Sequence, residues 1–212
     1  MQLPKIVFHL AEAANWPSIE RNGLLPTSLL LQQAFPQRRG VDAIRRPTHT
    51  VLPTGVHVRD QGPMPERALS GCLVGMSPAQ WYQLINAHVF FWLDPDRLNR
   101  QRAACGPRPQ VVAEVRTEDL LARHAEQAFV TPFNTGYALR KPARRGHGTF
   151  VPYYSWVDSG WVSEAQATGG RARSRAHQAA ELVVRGAVPD FLNIVSKVTR
   201  LAPQAHFFHG AP

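Results

Sequence analysis

A carboxylate on an apolar strand is the residue of this sequence with the clearest capacity for chemistry. Glu181 opens the branched apolar run 182–184, and the Gly and Pro that follow this run predict a short buried strand. Burying a carboxylate alone is costly, so it must have hydrogen-bonding partners or lie in a cleft. An edge-strand Glu that faces water is the alternative.

A histidine on the first predicted strand is the second candidate. Residues 6–10 alternate along a strand, which puts His9 on the opposite face from Phe8 and Leu10. A short helix capped by Asn15 follows and ends at Gly23. The imidazole therefore lies near a strand–helix junction, where a ligand can be bound.

The composition limits the kinds of partner. The chain has 212 residues, of which 44% are hydrophobic, and 24 basic against 15 acidic residues give a formal charge of +9. This balance favours a polyanionic partner, either nucleic acid or a phosphate-rich cofactor. A solvated basic surface is the alternative.

Signals for compartment and metal binding are sparse in the sequence. Cys72 and Cys105 form neither a metal-ligand spacing nor a disulfide framework, which fits a reducing compartment. The sequence has no signal-peptide pattern, no apolar run of membrane-spanning length and no zinc or Rossmann motif. We therefore expect a cytoplasmic protein without a membrane or metal partner.

Two long loops are predicted inside one domain over residues 1–201. The first loop, 36–67, is interrupted by prolines and contains Arg59, whose planar guanidinium suits a diphosphate. A surface ion pair of Arg59 with Asp60 or Glu66 is the alternative. The second loop, 163–175, is rich in Ser, Gly, Ala and Arg, and residues 202–212 are predicted to form a tail without regular structure.

Aromatic and basic side chains supply two further candidate surfaces. The apolar strand 89–93 carries three adjacent rings, so one of its faces packs on the core while the other can line a pocket. The basic loop with Arg140, Arg144 and Arg145 can approach a phosphate backbone, and Tyr154 can stack on a base. Structural packing of the aromatic rings is the alternative.

Three separated segments together resemble the ADP-ribosyltransferase fold. They are Phe8-His9-Leu10 with Asn15-Trp16-Pro17-Ser18-Ile19 and Asn22-Gly23-Leu24-Leu25, then Val89-Phe90-Phe91-Trp92, then Ala180-Glu181-Leu182-Val183-Val184 with Val188-Pro189. The first and last segments are most similar to the DarT-type toxins, which ADP-ribosylate DNA bases. Phe91 and Trp92 stand where that family typically has a Tyr, and residues 59–81 depart from the DarT type, which leaves the target open.

The resemblance implies both a fold and a set of roles. The fold would be α+β, with a split mixed or antiparallel β-sheet as its core and short helices on its flanks. NAD+ would be the substrate, with Glu181 near the ribose 2′-OH and His9 on a ribose hydroxyl or the carboxamide. Phe91 or Trp92 would stack on nicotinamide, and Arg59 with Gln61 would bind the diphosphate or the adenine side.

The resemblance also implies partners, and it leaves two alternatives open. A nucleic-acid acceptor, a toxin or defence role and an antitoxin protein are its expectations. An RNA 2′-phosphotransferase has the same fold, and its additional phosphate-binding residues have loose candidates here in Arg145 and His147. The other alternative is a non-catalytic nucleic-acid-binding module in which Glu181 is structural.

Overall fold

Apolar alternation produces nine strands in the computed structural model, which describes residues 1–210. They are β1 (Ile6–Glu12), β2 (Thr50–Val51), β3 (His57–Val58), β4 (His88–Trp92), β5 (Gln110–Arg116), β6 (Ala128–Thr131), β7 (Val151–Pro152), β8 (Glu181–Arg185) and β9 (Val195–Leu201). Seven of them form an antiparallel sheet in the order β7-β6-β8-β4-β1-β5-β9, and β2 pairs with β3 as a separate hairpin.

Short helices connect and cover these strands. They are α1 (Trp16–Asn22), α2 (Thr27–Ala34), α3 (Glu66–Ser70), α4 (Pro78–Asn86), α5 (Pro95–Ala104), α6 (Thr117–His124), α7 (Tyr153–Ser159) and α8 (Val162–Thr168). Within residues 1–210, no helix has the length and apolar character that crossing a membrane requires. The architecture is therefore α+β, as predicted.

The sheet is divided between its two central strands. β1 pairs with β5 from Ile6 to Glu12, whereas β1 and β4 pair at one register position, Phe8 opposite Trp92. Beside that position, the ring Nδ1 of His9 lies 2.9 Å from the Phe90 carbonyl oxygen. The side chain of His9 therefore bonds to a backbone group that, in a continuous sheet, would pair with the backbone of the neighbouring strand. β4-β8-β6-β7 and β1-β5-β9 are therefore joined within one sheet through a single register pair, and the split sheet that the resemblance implies stays a prediction.

Apolar side chains pack on both faces of this sheet. On one face, Val7 and Phe91 belong to a core cluster that also contains Trp156 and Trp161. On the other face, Phe8 and Trp92 pack with the apolar side of α5. Trp156 and Trp161 are therefore structural, which is the alternative that the sequence left open for these rings.

The predicted second loop is partly wrong. Residues 162–168 form α8, so the irregular segment is confined to 169–175. The helix forms because its alanines favour helix and Ala165 is buried, and it ends at Gly169 with φ +67°, a left-handed stop. The first loop, 36–67, is largely irregular as predicted, although it contains the β2–β3 hairpin.

The last strand follows a turn of 3-10 helix. Phe191–Asn193 form a turn of 3-10 helix, because Phe191 is buried in the core, and β9 starts at Val195. Residues 202–210 follow β9 without strand or helix, and the last two residues of the predicted tail, 211 and 212, lie outside the described residues.

Candidate active site

A crevice of about 1030 Å³ opens where the sheet divides. Residues of β1 and β4 line it together with Glu181 at the start of β8, and residues 56–61 and 133–137 contribute to its walls. Its volume is at the upper end of the range of small-molecule sites, which is about 300–1000 Å³. The crevice is thus large enough for a dinucleotide.

The division of the sheet brings the two predicted catalytic residues to one cavity. Glu181 is opposite Trp92, and Trp92 is opposite Phe8, so these three side chains share a face. His9 follows Phe8 and would lie on the other face of an unbroken sheet. Because β1 and β4 separate here, both His9 and Glu181 line the crevice.

Two threonines hold the buried carboxylate of Glu181. Its Oε2 accepts hydrogen bonds from Thr131 Oγ1 at 2.7 Å, from Thr135 Oγ1 at 2.9 Å and from the Thr135 N–H at 3.2 Å. Because β8 lies between β6 and β4, the alternative of a solvent-facing edge strand is wrong. Sequence reasoning missed both threonines, although the Asn134-Thr135-Gly136 turn after β6 was a usable signal.

The carboxyl group of Glu181 is poised to exchange a proton near neutral pH. Burial raises the pKa of Glu181 to about 7, against the lowering effect of the threonine hydrogen bonds. The Thr131 hydroxyl is also 3.0 Å from the Phe133 carbonyl oxygen, and its single proton can serve one of these two acceptors. Thr131 can therefore donate to ionised Glu181, or accept from protonated Glu181 while donating to Phe133, so both protonation states are satisfied.

Replacing Glu181 with Gln is expected to stabilise the protein at pH 8. The folded protein holds this proton up to about pH 7, whereas the ordinary pKa of the group is about 4.5, so the folded state binds more protons than the unfolded state between these values. Stability therefore falls as pH rises through this window, by at most about 3 kcal/mol. Urea denaturation should show the variant gaining stability over the native chain between pH 5 and pH 8. A difference that does not change with pH would contradict the raised pKa.

His9 is held as a neutral ring at the division of the sheet. A carbonyl oxygen can only accept, so Nδ1 donates its proton to Phe90, and Nε2 of the neutral ring is then an acceptor. Burial lowers the pKa of His9, and the bond to Phe90 opposes this effect. A neutral imidazole with a free acceptor nitrogen suits a hydroxyl or amide donor of a ligand.

Two arginines offer hydrogen-bond donors at the crevice. Nη1 of Arg46 and Nη1 of Arg59 are buried and have no hydrogen-bond partner within residues 1–210. Burial lowers the pKa of Arg46 to about 10, which leaves it charged at neutral pH. Such donors suit a diphosphate. Arg46 was missed as a site residue, although the basic pair at 45–46 was visible in the sequence.

The predicted role of Gln61 in cofactor binding does not match its contacts. Its Oε1 accepts from the Arg46 N–H at 3.0 Å, and its Nε2 lies 3.5 Å from Asn86 Oδ1. Arg46 Nε in turn donates to the Arg59 carbonyl oxygen at 3.2 Å. Gln61 lines the crevice, but its amide is engaged in holding this loop in place.

The register of β4 corrects the choice of aromatic residue. Phe91 is fully buried in the core on the far face and is not among the residues that line the crevice. Phe90 and Trp92 do line it, because β4 alternates and Trp92 is opposite Glu181. Trp92 Nε1 is bonded to Gln101 Oε1, which leaves its ring face as the available surface. Phe90 was missed at the sequence level.

The predicted nucleic-acid-binding residues do not form one surface. Arg140 is exposed and lines the crevice, whereas Arg144 and Tyr154 are exposed but are not among its lining residues. Arg145 is 2% exposed and donates to the carbonyl oxygens of Thr135, Tyr137 and Ala143. Its predicted contact with a nucleic-acid backbone is therefore wrong, because its guanidinium is used inside the protein.

The chain belongs to a family of unknown function, DUF7002, which matches residues 5–195. No curated protein matches the chain in sequence.

Solved structures of Thermus sp. 2.9 DarT give a weak structural likeness. Thermus sp. 2.9 DarT in complex with NAD+ is 12% identical with a TM-score of 0.38, over 92% of this chain and 81% of that chain. Thermus sp. 2.9 DarT in complex with ADP-ribosylated ssDNA is 10% identical with a TM-score of 0.38, over 92% of this chain and 80% of that chain. A likeness at this level carries no functional argument, so function has to be argued from the crevice.

Proposed function

We propose that this protein is an NAD+-dependent ADP-ribosyltransferase that transfers ADP-ribose to nucleic acid. The observation that carries the proposal is the buried carboxyl group of Glu181, held by Thr131 and Thr135 with a pKa near 7 in a crevice that His9 also lines. The crevice also offers unsatisfied donors on Arg46 and Arg59 and ring surfaces on β4. The diphosphate, the ribose and the nicotinamide ring of NAD+ can each be matched to a group in this crevice: the arginines, the Glu181–His9 pair and the β4 rings.

The chemistry requires a carboxylate close to the reacting ribose. The bond between C1′ of the ribose and the nicotinamide nitrogen breaks, nicotinamide leaves with the bonding electrons, and a nucleophilic atom of the acceptor bonds to C1′. Ionised Glu181 accepts a hydrogen bond from the 2′-OH and stabilises the positive charge that develops on the ribose. The acceptor's proton passes to Glu181, whose pKa suits a base at neutral pH.

Other crevice residues bind and orient the dinucleotide. The unprotonated Nε2 of His9 accepts from a ribose hydroxyl or from the carboxamide N–H. Arg59 and Arg46 bind the diphosphate, and Phe90 or Trp92 stacks against nicotinamide. These interactions fix the ribose beside Glu181, which is how positioning lowers the barrier of a two-substrate reaction.

The proposal is tested by incubating the chain with labelled NAD+ and separate pools of DNA, RNA and protein. Mass measurement of the products is expected to find ADP-ribose on a nucleic-acid pool and free nicotinamide in equal amount. An added arm with 2′-phosphorylated RNA distinguishes the 2′-phosphotransferase alternative, since phosphate would then leave the RNA. Nucleic-acid binding without any NAD+ cleavage would identify a binding module instead.

The rim of the crevice is the expected contact for the acceptor. Arg140 and Lys141 are exposed there and both have positive φ, +55° and +58°, a conformation that non-glycine residues rarely adopt. Replacing both with Ala is expected to weaken oligonucleotide binding and to reduce its log–log salt slope by about 0.7 per single-stranded phosphate contact. Fluorescence anisotropy at several salt concentrations measures this slope.

Arg144 is the matched control for the rim variants. Its guanidinium lies beside Gly169, and it does not line the crevice. Arg144→Ala should therefore leave the salt slope nearly unchanged. An equal loss from Arg144→Ala and from the rim variants would contradict the assignment of the acceptor contact to the rim.

A further inference from the structure

A group of side chains that can bind a metal ion lies at the crevice, apart from the proposed catalytic residues Glu181 and His9. Glu12, His49 and His57 each offer one ligand atom, and these three atoms lie within 4.8 Å of one another. Glu12 ends β1, His49 immediately precedes β2 and His57 begins β3. Glu12 and His57 line the crevice.

The hairpin geometry brings the two imidazoles together. Val51 is opposite His57 in the register, and His49 is two residues before Val51, so the two histidines share a face as diagonal neighbours. Their ring centroids are 5.0 Å apart. Asn15 fixes this position, because its Nδ2 donates to the His57 carbonyl oxygen at 2.8 Å and its Oδ1 accepts the His57 N–H at 2.7 Å.

The carboxylate of Glu12 is held in place by two donors. Arg108 Nε donates to its Oε1 at 2.9 Å, and Gln110 Nε2 donates to its Oε2 at 2.5 Å. Glu12 is 4% exposed, and its Oε1 lies 3.9 Å from His49 Nε2. An oxygen that accepts one hydrogen bond keeps a lone pair, so Glu12 can ligate an ion while Arg108 and Gln110 orient it.

Both imidazoles have a nitrogen atom that the protein leaves unsatisfied. His49 Nε2 and His57 Nδ1 are buried, and neither has a hydrogen-bond partner in the part of the chain that the structure describes. A buried polar atom without a partner is costly, so a ligand that bonds to these two nitrogen atoms is favoured.

We propose that Glu12, His49 and His57 bind a divalent transition-metal ion, with zinc as the best match. Two imidazoles and one carboxylate form a ligand set found in zinc sites that keep a fourth position open. Ligand atoms about 2.0–2.2 Å from a tetrahedral zinc are about 3.3–3.6 Å apart, so a separation of 4.8 Å has to close by up to about 1.5 Å through side-chain torsions of His49 and His57. This replaces the sequence-level expectation that the protein has no metal.

The open side of the proposed site faces the crevice. Since Glu12 and His57 line that cavity, the fourth position would hold water or an anionic oxygen of a ligand bound there. Metal binding does not depend on the proposed ADP-ribosyltransferase activity, because the three ligands and their supports are separate from Glu181 and His9.

The test is metal binding by the full chain without a histidine tag. After treatment with a chelator and dialysis, the chain is titrated with Zn²⁺ and with Co²⁺. The proposal expects one tightly bound Zn²⁺ per chain by elemental analysis, a visible Co²⁺ absorption spectrum that Zn²⁺ abolishes, and a higher midpoint of thermal unfolding with Zn²⁺. A native chain that binds neither ion would overturn it.

Variants locate the ion. His49→Ala, His57→Ala and Glu12→Gln should each lose the bound equivalent, and Gln110→Ala should weaken binding by about 10–100-fold, as expected for a residue that orients a ligand. His147, which is exposed and outside the crevice, provides the matched control His147→Ala, which should bind one Zn²⁺. Retention of the ion by all three ligand variants, or its loss from the control, would overturn the assignment.

Discussion

Glu181→Gln is expected to lower the rate of NAD+ cleavage by about 10²–10⁴-fold, the range for removing a general base or a group that stabilises charge in a transition state. Gln retains an oxygen that can accept from Thr131 and Thr135, so folding should be preserved. It has no negative charge to stabilise the developing positive charge on the ribose. Release of nicotinamide at saturating NAD+ measures this loss directly.

A buried glutamate outside the crevice provides the control for that experiment. Glu164 on α8 is 3% exposed, comparable to Glu181, and does not line the cavity. Glu164→Gln should keep the native rate, provided that circular dichroism shows a folded chain. A native rate in Glu181→Gln would contradict the catalytic role, because the carboxylate would then be structural.

The pH dependence of the native rate follows from the same group. Burial raises the pKa of Glu181 to about 7, and the proposed mechanism requires the ionised form. Activity should therefore rise as pH increases through about 7, in the opposite sense to the stability that this carboxyl group contributes.

Expression of the native chain and of Glu181→Gln in growing cells tests the toxin role, since growth arrest is expected from the native chain alone.

Arg59→Ala is expected to raise KM for NAD+ by about 10–150-fold, since a hydrogen bond to a charged group contributes about 1.5–3 kcal/mol and each 1.4 kcal/mol is tenfold. In the proposed complex the guanidinium binds the diphosphate, which does not change during the reaction, so kcat should fall much less than kcat/KM. Steady-state kinetics with NAD+ as the varied substrate measures both constants.

Two comparison variants sharpen the test of Arg59. Arg59→Lys keeps the charge but loses the planar fork, so KM should lie between the native and Ala values. Arg200, which is exposed on β9 and outside the crevice, controls for the loss of one positive charge through Arg200→Ala. If Arg200→Ala raised KM as much as Arg59→Ala, a general electrostatic effect would replace the specific contact.

Local patterns were sufficient for much of the fold. Alternation and branched residues located β1, β4, β5 and β8, and the Ser77 side chain caps α4 with Gln80 completing the capping box. These features depend on residues within a few positions of one another, which is why a single sequence carries them. Helix α8 was missed because its mixture of small and charged residues resembles a loop, and its stability comes partly from packing.

The site was predictable where a residue's type was unusual for its position. Glu181 and His9 were conspicuous on apolar strands, and both line the crevice. The choice between Phe90 and Phe91 could not be made, because it depends on the pairing of Trp92 with Glu181 across about ninety residues of chain. For Thr131, Arg46 and the Glu12 group, the local sequence shows the residue type but not the contacts, since their partners come from distant elements.

A crystal structure with a non-cleavable NAD+ analogue tests the central claim most directly. The analogue is expected in the crevice, with its 2′-OH within about 2.6–3.2 Å of the Glu181 carboxylate and His9 contacting the same ribose or the carboxamide. Its diphosphate should contact Arg46 or Arg59. An analogue bound elsewhere, or in the crevice with its ribose beyond the reach of both Glu181 and His9, would contradict the proposed activity.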